Sequence, residues 1–255
     1  MTVVADEADL ASIASTSVVA GDVAAVDVLV SVGGDGTMLR AVRSLNGAST
    51  PIVGVNLGML GYLANVEQDS IIDALSAWHS GTAGVDFHFD DRMLLEVTIW
   101  TNGARKANIL ALNEVVIEKK EAGHTVRLGV DIDKAAFTTY AADGLIIATP
   151  TGSTAYSMSA RGPILSPRLR ALLMTPVSPH MLFDRSMVLD PSEPVRVEVL
   201  GHREVNVATD GGLVHSLRPG DVVEVRAAQE VARFMRFEEQ RFHQVLKSKF
   251  GLNDR

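Results

Sequence analysis

The 255-residue chain contains no cysteine. That excludes a disulfide frame, a thiol nucleophile and a cysteine-based zinc site. Basic residues are in deficit, 23 Lys and Arg against 31 Asp and Glu, for a net charge of −8. A nucleic-acid-binding protein would usually be basic, so this class is disfavoured. A phosphate site here must use local backbone donors or a metal, because the overall field repels anions. No stretch approaches the roughly 18 uninterrupted apolar residues of a membrane span. The start, MTVVADEADLASIAS, lacks both a basic n-region and a long apolar h-region, so no signal peptide is expected and the expected location is cytoplasmic. The common nucleotide fingerprints, GxxxxGK[ST] and GxGxxG, are missing. The seven histidines are scattered, with no HxH or HExxH spacing, and Ser153 sits in Gly-Ser-Thr rather than in the GxSxG of a hydrolase elbow.

What is present reads as a globular protein: 47% apolar and 21% charged residues, in a length that suits one large domain or two small ones. The first third alternates strand-like and helix-like stretches. VDVLVSV (26–32) is a continuous apolar run, MLRAVRSL (38–45) has apolar residues at helical spacing, PIVGVNLG (51–58) is the next apolar run, and SIIDALSAWHSG predicts a helix stopped at Gly81. This is the pattern of a parallel α/β layer. From about Asp91 the texture becomes strand-like, in MLLEVTIW, NILALNEVVIE, TVRLGVDID, AAFTTYAADGLIIAT, PVRVEVL, EVNVATDG and DVVEVRAA, with turns such as Asn102-Gly103 between them. The tail EEQRFHQVLKSKF is amphipathic and helical.

Three motifs carry chemistry. GGDGT (33–37) follows an apolar strand; its glycines permit a tight turn, and the amides of the following helix favour an anion. It reads either as a Gly-rich turn with Asp35 as helix N-cap, or as a phosphate-approaching loop with Asp35 on a hydroxyl. Asn113-Glu114 is an adjacent polar pair in a strand, one inward and one outward by alternation, able to grip a diol or an amide edge. The run from Asp143 to Ile164 holds the strand LIIA and then TPTGSTAY. There Thr149, Thr151, Ser153 and Thr154 offer hydroxyls, either to a ligand or to local turn bonds, and Tyr156 offers a stackable ring.

In that order, GGDGT, Asn113-Glu114 and DGLIIATPTGSTAYSMSA resemble the NAD kinase family. PIVGVNLGMLGYL resembles that family's Asn-x-Gly-x-x-Gly-Phe-Leu segment, with Tyr62 in place of Phe, and the likeness runs from about Val26 nearly to the end. The resemblance implies an α/β N-terminal domain over 1–88, with the tail 232–255 packing back on it, and a β-rich NAD-binding domain over 89–231. It implies phosphoryl transfer from ATP or polyphosphate to the adenosine 2′-hydroxyl of NAD, with a divalent cation, Mg²⁺, whose protein ligands stay unknown. Asp35 would be the catalytic base, Gly36 would approach the nucleotide and Arg40 would lie near it. Asn113 and Glu114 would bind NAD. Asp143 and the stretch Thr154, Ala155, Tyr156, Ser157, Met158 and Ser159 would line the dinucleotide site, with Tyr156 near a base or ring. His124 matches a binding position after the Asn-Glu pair, and Asp210, in an Asp-Gly turn, is a further carry-over. The expected assembly is a homodimer or homotetramer.

The chain departs from the family pattern in places. Only 32 residues precede Gly33, where the family has a strand and helix first, so the expectation is either a shortened form or a misplaced gene start. Arg161 stands where the family usually has Gly, Ala141 where some bacterial members carry Arg, and Gly212 where Gln is frequent. Two other readings stay open: a catalytically impaired NAD-binding or regulatory homologue, and a lipid kinase sharing the GGDGT fold.

Overall fold

A computed structural model describes residues 3–5, 18–20, 25–58, 61–238 and 241–252. The chain divides into two compact units, Met1–Asp91 with Ala232–Arg255, and Arg92–Val231. The first is α/β and the second is β-rich, the fold class that the sequence predicts.

In the first unit β1 (Val3–Ala5) and β2 (Val18–Ala20) pair in parallel. The strand expected over 26–32 is shorter, β3 (Leu29–Val32), because the chain bends at Val26 and Asp27. It enters the sheet at Leu29, whose amide donates to the Pro51 carbonyl at 2.9 Å. β3 pairs in parallel with β4 (Ile52–Asn56), from Leu29 opposite Ile52 to Val32 opposite Val55. β5 (Val66–Glu67) adds to β4 in parallel. Parallel neighbours need a crossover, and α1 (Asp35–Leu45) supplies it between β3 and β4. It buries Met38, Ala41, Val42 and Leu45, the i, i+3, i+4, i+7 stripe of an amphipathic helix. α2 (Ile71–Ser80) stops where expected, with the Gly81 amide on the Ala77 carbonyl at 2.8 Å. Val53, Val55, Val66, Ala74, Phe87 and Met235 form a buried core here. The tail helix spans Phe242–Phe250.

The second unit is built on two sheets. β6 (His88–Thr101) and β7 (Ala104–Ala111) form a hairpin through Asn102-Gly103, with φ of 51° and 75°, the left-handed pair that Asn-Gly favours in a two-residue turn. There follow β8 (Glu114–Lys119), β9 (Val126–Ile132), β10 (Ala135–Ala142), β11 (Gly144–Ala148), β12 (Leu172–Val177) and β13 (Met187–Leu189). β14 (Val195–Leu200), β15 (Val205–Thr209), β16 (Gly212–Leu217) and β17 (Val222–Arg236) complete the series. One sheet has the order β13-β12-β11-β8-β15-β16; the other contains β10-β9-β14-β17, with β6 on β17 and β7 on β6. Alternate residues of both sheets meet in one core, among them Leu145 and Ile147 of β11, Val195, Val197 and Val199 of β14, and Leu128 and Val130 of β9.

Two stretches that read as single strands are each split. NILALNEVVIE breaks at Leu112-Asn113 and AAFTTYAADGLIIAT breaks at Asp143, and at both bends the chain leaves one sheet for the other. Corners of this kind are how strands change sheets in a sandwich. They put Asn113, Glu114 and Asp143 at strand ends, where side chains can face a ligand. β11 is buried along its whole length. Its second face, Ile146 and Ala148, packs with Val116 and Leu173 under Ala160 and Leu165 of the following segment. Cover on both faces explains why LIIA is continuously apolar. Among the described residues no helix is long and apolar enough to cross a membrane.

Candidate functional site

In the first unit the site is built around Asp35. The N-cap position of α1 is held by Gly34, and Asp35 is the first helical residue, so the N-cap reading of Asp35 does not hold. Its carboxylate instead reaches a neighbouring loop. Oδ2 accepts from the Tyr62 amide at 3.0 Å and Oδ1 from the Leu63 amide at 3.1 Å. Each carboxylate oxygen has two lone pairs, so each keeps capacity for one further donor. A negative group in the first turn is also favoured by the helix dipole. The loop comes this close because residue 61 is Gly: a Cβ there would lie 2.2 Å from Asp35 Oδ1. Behind Leu63 stands the buried Arg236, whose Nη1 donates to the Leu63 carbonyl at 2.5 Å and whose Nε donates to Asp90 at 3.1 Å. Burial and the Asp35 charge push the Tyr62 hydroxyl pKa up. The Tyr62 ring lies 6.5 Å from that of Phe242 and 4.6 Å from Lys249 Nζ, both in the tail helix. Gly36 and Arg40 are exposed on α1, and a Cβ at Gly36 would meet only open space. Gly61 and Leu63 fall in the segment that resembles the family's Asn-x-Gly-x-x-Gly-Phe-Leu motif but carried no role there, and Arg236 was not singled out; nothing in their local pattern reports a partner far away in the chain.

In the second unit the Leu112–Glu114 bend is held from two sides. The Asp210 carboxylate accepts from the amides of Leu112 at 2.8 Å, Asn113 at 2.7 Å and Glu114 at 3.3 Å. Thr149 takes the carbonyls: its Oγ1 donates to Leu112 at 2.6 Å and its amide to Asn113 at 2.8 Å. Gly152 lies against the same peptide, where a Cβ would come 2.0 Å from the Asn113 carbonyl oxygen. The hydroxyls of TPTGSTAY largely serve this scaffold. Ser153 Oγ donates to the Pro150 carbonyl at 2.6 Å, and Thr154 Oγ1 to the Thr151 carbonyl at 3.2 Å. The short helix α3 (Tyr156–Ser159) directs Ser157 inward to Thr175 at 3.0 Å, while Tyr156 and Ser159 are exposed and Ala155 and Met158 half-buried. Asp143 is paired with Lys119 Nζ at 2.6 Å. Burial, then Glu118 and Asp143, push the Tyr156 hydroxyl pKa up. His124 is exposed on the turn after β8.

Glu114 is the electrostatic outlier. It is buried, and its Oε2 meets no donor. Burial and the neighbouring Asp210 push its pKa from the ordinary 4.5 up to about 7, against a lowering contribution from the Tyr156 backbone hydrogen bond. In the unfolded chain this carboxyl loses its proton near 4.5, whereas the folded protein holds it to about 7. Between those values the folded state binds more protons, so this group's contribution to stability falls as pH rises, by about 3 kcal/mol in all, and levels off above about pH 8. Glu114→Gln therefore leaves stability unchanged near pH 4 and raises it by up to about 3 kcal/mol at pH 8. Urea unfolding of both proteins across that range checks it, and an equal difference at the two ends would refute it.

Arg161 adopts φ of 66° and is exposed. A side chain in the left-handed region costs about 1 kcal/mol, which Gly avoids. Arg161→Gly is expected to raise the melting temperature by about 2–4 °C. No rise in a thermal melt would show that the Arg side chain offsets the strain.

Among the described residues no three His, Cys, Asp or Glu side chains gather as a metal cage. Residues 5–83 match the ATP-NAD kinase N-terminal domain and residues 112–237 the ATP-NAD kinase C-terminal domain. The chain is 39% identical over 231 residues to an NAD kinase of Syntrophotalea carbinolica, covering 90% of this chain and 80% of that one. It is 40% identical over 225 residues to an NAD kinase of Heliobacterium modesticaldum, covering 88% and 78%. Its fold is similar to that of a yeast NADH kinase solved with NADH, at a TM-score of 0.83 and 29% identity over 90% of this chain and 67% of that one. An NAD kinase from Archaeoglobus fulgidus solved with ATP shares the fold at a TM-score of 0.74 and 23% identity, over 93% and 90%.

Proposed function

The chain belongs to the NAD kinase family, a family of phosphotransferases, and on that premise we propose that it transfers a phosphoryl group from ATP or polyphosphate to the adenosine 2′-hydroxyl of NAD, with Asp35 as the base. A ribose hydroxyl is a poor nucleophile near neutral pH. The 2′-oxygen forms a bond to the terminal phosphorus as the bridging P–O bond breaks and its electron pair leaves with the donor. The hydroxyl proton passes to an Asp35 oxygen. Phosphoryl transfer through a loose transition state needs alignment and charge neutralisation more than covalent help. What supports Asp35 in this role is its bracing: one backbone amide on each oxygen fixes the carboxylate and leaves each oxygen able to accept once more.

A divalent cation, Mg²⁺, would be carried on the donor phosphates, since Mg²⁺ keeps several waters and binds through substrate phosphates more readily than in an all-protein cage. When bound it would neutralise phosphate charge that this acidic chain cannot. In the second unit Asn113 and Glu114 grip the dinucleotide, and Tyr156, exposed at the start of α3, stacks on a ring. The yeast relative's complex with NADH supports a dinucleotide ligand. The test is formation of NADP⁺ from NAD⁺ and Mg²⁺, with ATP and polyphosphate as separate donors and NADH as an alternative acceptor. Turnover identifies donor and acceptor. Saturable NAD binding with no phosphorylated product from either donor would leave only a regulatory homologue.

A further inference from the structure

Asp210 and Gly211 form the two-residue turn between β15 and β16, with φ of 47° and 76°. Asn, Asp and Gly all suit such a turn, so the turn alone does not require a carboxylate. The carboxylate's partners do. Three consecutive amides, of Leu112, Asn113 and Glu114, converge on its two oxygens, an anion-holding nest filled by the chain's own side chain. The Asp210 amide in turn donates to the Glu114 carbonyl at 3.1 Å. On the opposite edge of the same peptides Thr149 donates to the Leu112 and Asn113 carbonyls. The arrangement sets a second carboxylate beside the buried Glu114 and pushes that group's proton affinity up. A turn of ordinary structural purpose has no need of that cost.

We infer that Asp210 is a positioning residue for the dinucleotide: with Thr149 it clamps the Leu112–Glu114 backbone at the sheet-changing bend, so that Asn113 presents its side chain in one fixed orientation. It rests on the reading that Asn113 and Glu114 grip NAD. Asn at 210 would keep an acceptor for two of the amides but turn an NH₂ toward the third, so the bend loosens while the turn and its shape remain.

The test is calorimetric titration of NAD into the full chain carrying Asn113→Ala, Asp210→Asn or both. Asn113→Ala and Asp210→Asn should each weaken NAD binding about ten-fold or more. The double variant should be no weaker than Asn113→Ala alone within about two-fold, because the clamp acts only through the residue already removed. The KM for the phosphoryl donor should stay within about two-fold of the unaltered protein, a split that partial unfolding would not produce. Thr149→Val, which removes the hydroxyl bond to the Leu112 carbonyl and keeps the amide bond to Asn113, should repeat both results in weaker form and carries the test where Asp210→Asn does not fold. Normal NAD affinity in Asp210→Asn, with Asn113→Ala weakened, overturns the proposal. Additive losses in the double variant also overturn it, since Asp210 would then act on the ligand independently. Normal affinity in Asn113→Ala would remove the reading of the Asn-Glu grip, and this inference with it.

Discussion

Asp35→Asn is expected to lower kcat for NADP⁺ formation by about a thousand-fold, within the roughly 10²–10⁴ that a positioned general base contributes. An amide cannot take the ribose proton, so the 2′-oxygen must attack without a local acceptor. The variant also has a structural consequence that the geometry makes explicit. Both carboxylate oxygens accept backbone amides, from Tyr62 and Leu63. Asn offers one acceptor and one NH₂, so one of the two amides then faces another donor. Leaving a part-buried N–H without its acceptor costs about 1–3 kcal/mol, and a lower melting temperature should accompany the lost activity.

The two effects are separable. On the proposed reading NAD is held mainly by contacts away from the reacting hydroxyl, so the titrated Kd should move by no more than a few-fold while kcat collapses. A Kd that rises in step with the loss of kcat/KM would make Asp35 a binding residue. Residual turnover above about a tenth of the original would remove it as the base altogether.

How far the sequence reaches is decided by the range of the interactions involved. The α1 stripe was legible because Met38, Ala41, Val42 and Leu45 follow a local period, and the Asn102-Gly103 turn because its φ values are set by the two residues themselves. The continuous burial of β11 could be read from LIIA with no knowledge of what covers it. The order of the three motifs was enough to point to the family. The sheet-changing bends were not legible. NILALNEVVIE keeps strand propensity straight through Leu112-Asn113, and what breaks it is a carboxylate at position 210. The hydroxyls of TPTGSTAY signal polarity, yet nothing in their spacing says that Ser153 and Thr154 turn back to the local carbonyls and Ser157 to Thr175. Glu114 reads as one half of a polar pair; its raised pKa comes from burial and from Asp210, in a turn distant in the sequence. Arg161 was visible as a departure, but its left-handed φ and outward placement were not.

Gly61→Ala is the sharper probe of the Asp35 bracing, since it leaves every reacting atom in place. Gly61 does not occupy the left-handed region, so the added methyl brings no dihedral strain of its own. The only question is room. The new Cβ would lie 2.2 Å from Asp35 Oδ1, 3.0 Å from Cγ and 3.3 Å from Oδ2. Asp35 has one rigid carboxylate on a short stem, pinned by the two amides that directly follow Gly61, so side chain and loop cannot both stay. Either the carboxylate swings away or the loop retreats, and both routes break the bonds to Tyr62 and Leu63. Overpacking of this kind costs about 1–3 kcal/mol, and a displacement of about 1 Å in a catalytic group costs about a hundred-fold in rate. Gly61→Ala should therefore show a lower melting temperature and a kcat down by about a hundred-fold, with NAD affinity little changed. The cause can be isolated with Asp35→Ala, which removes the atoms that the methyl strikes. In that background Gly61→Ala should cost almost no further stability, giving a coupling of the size of the original loss. Equal destabilisation in the two backgrounds would place the clash elsewhere and would undo the argument that Gly61 is there to let the loop brace Asp35.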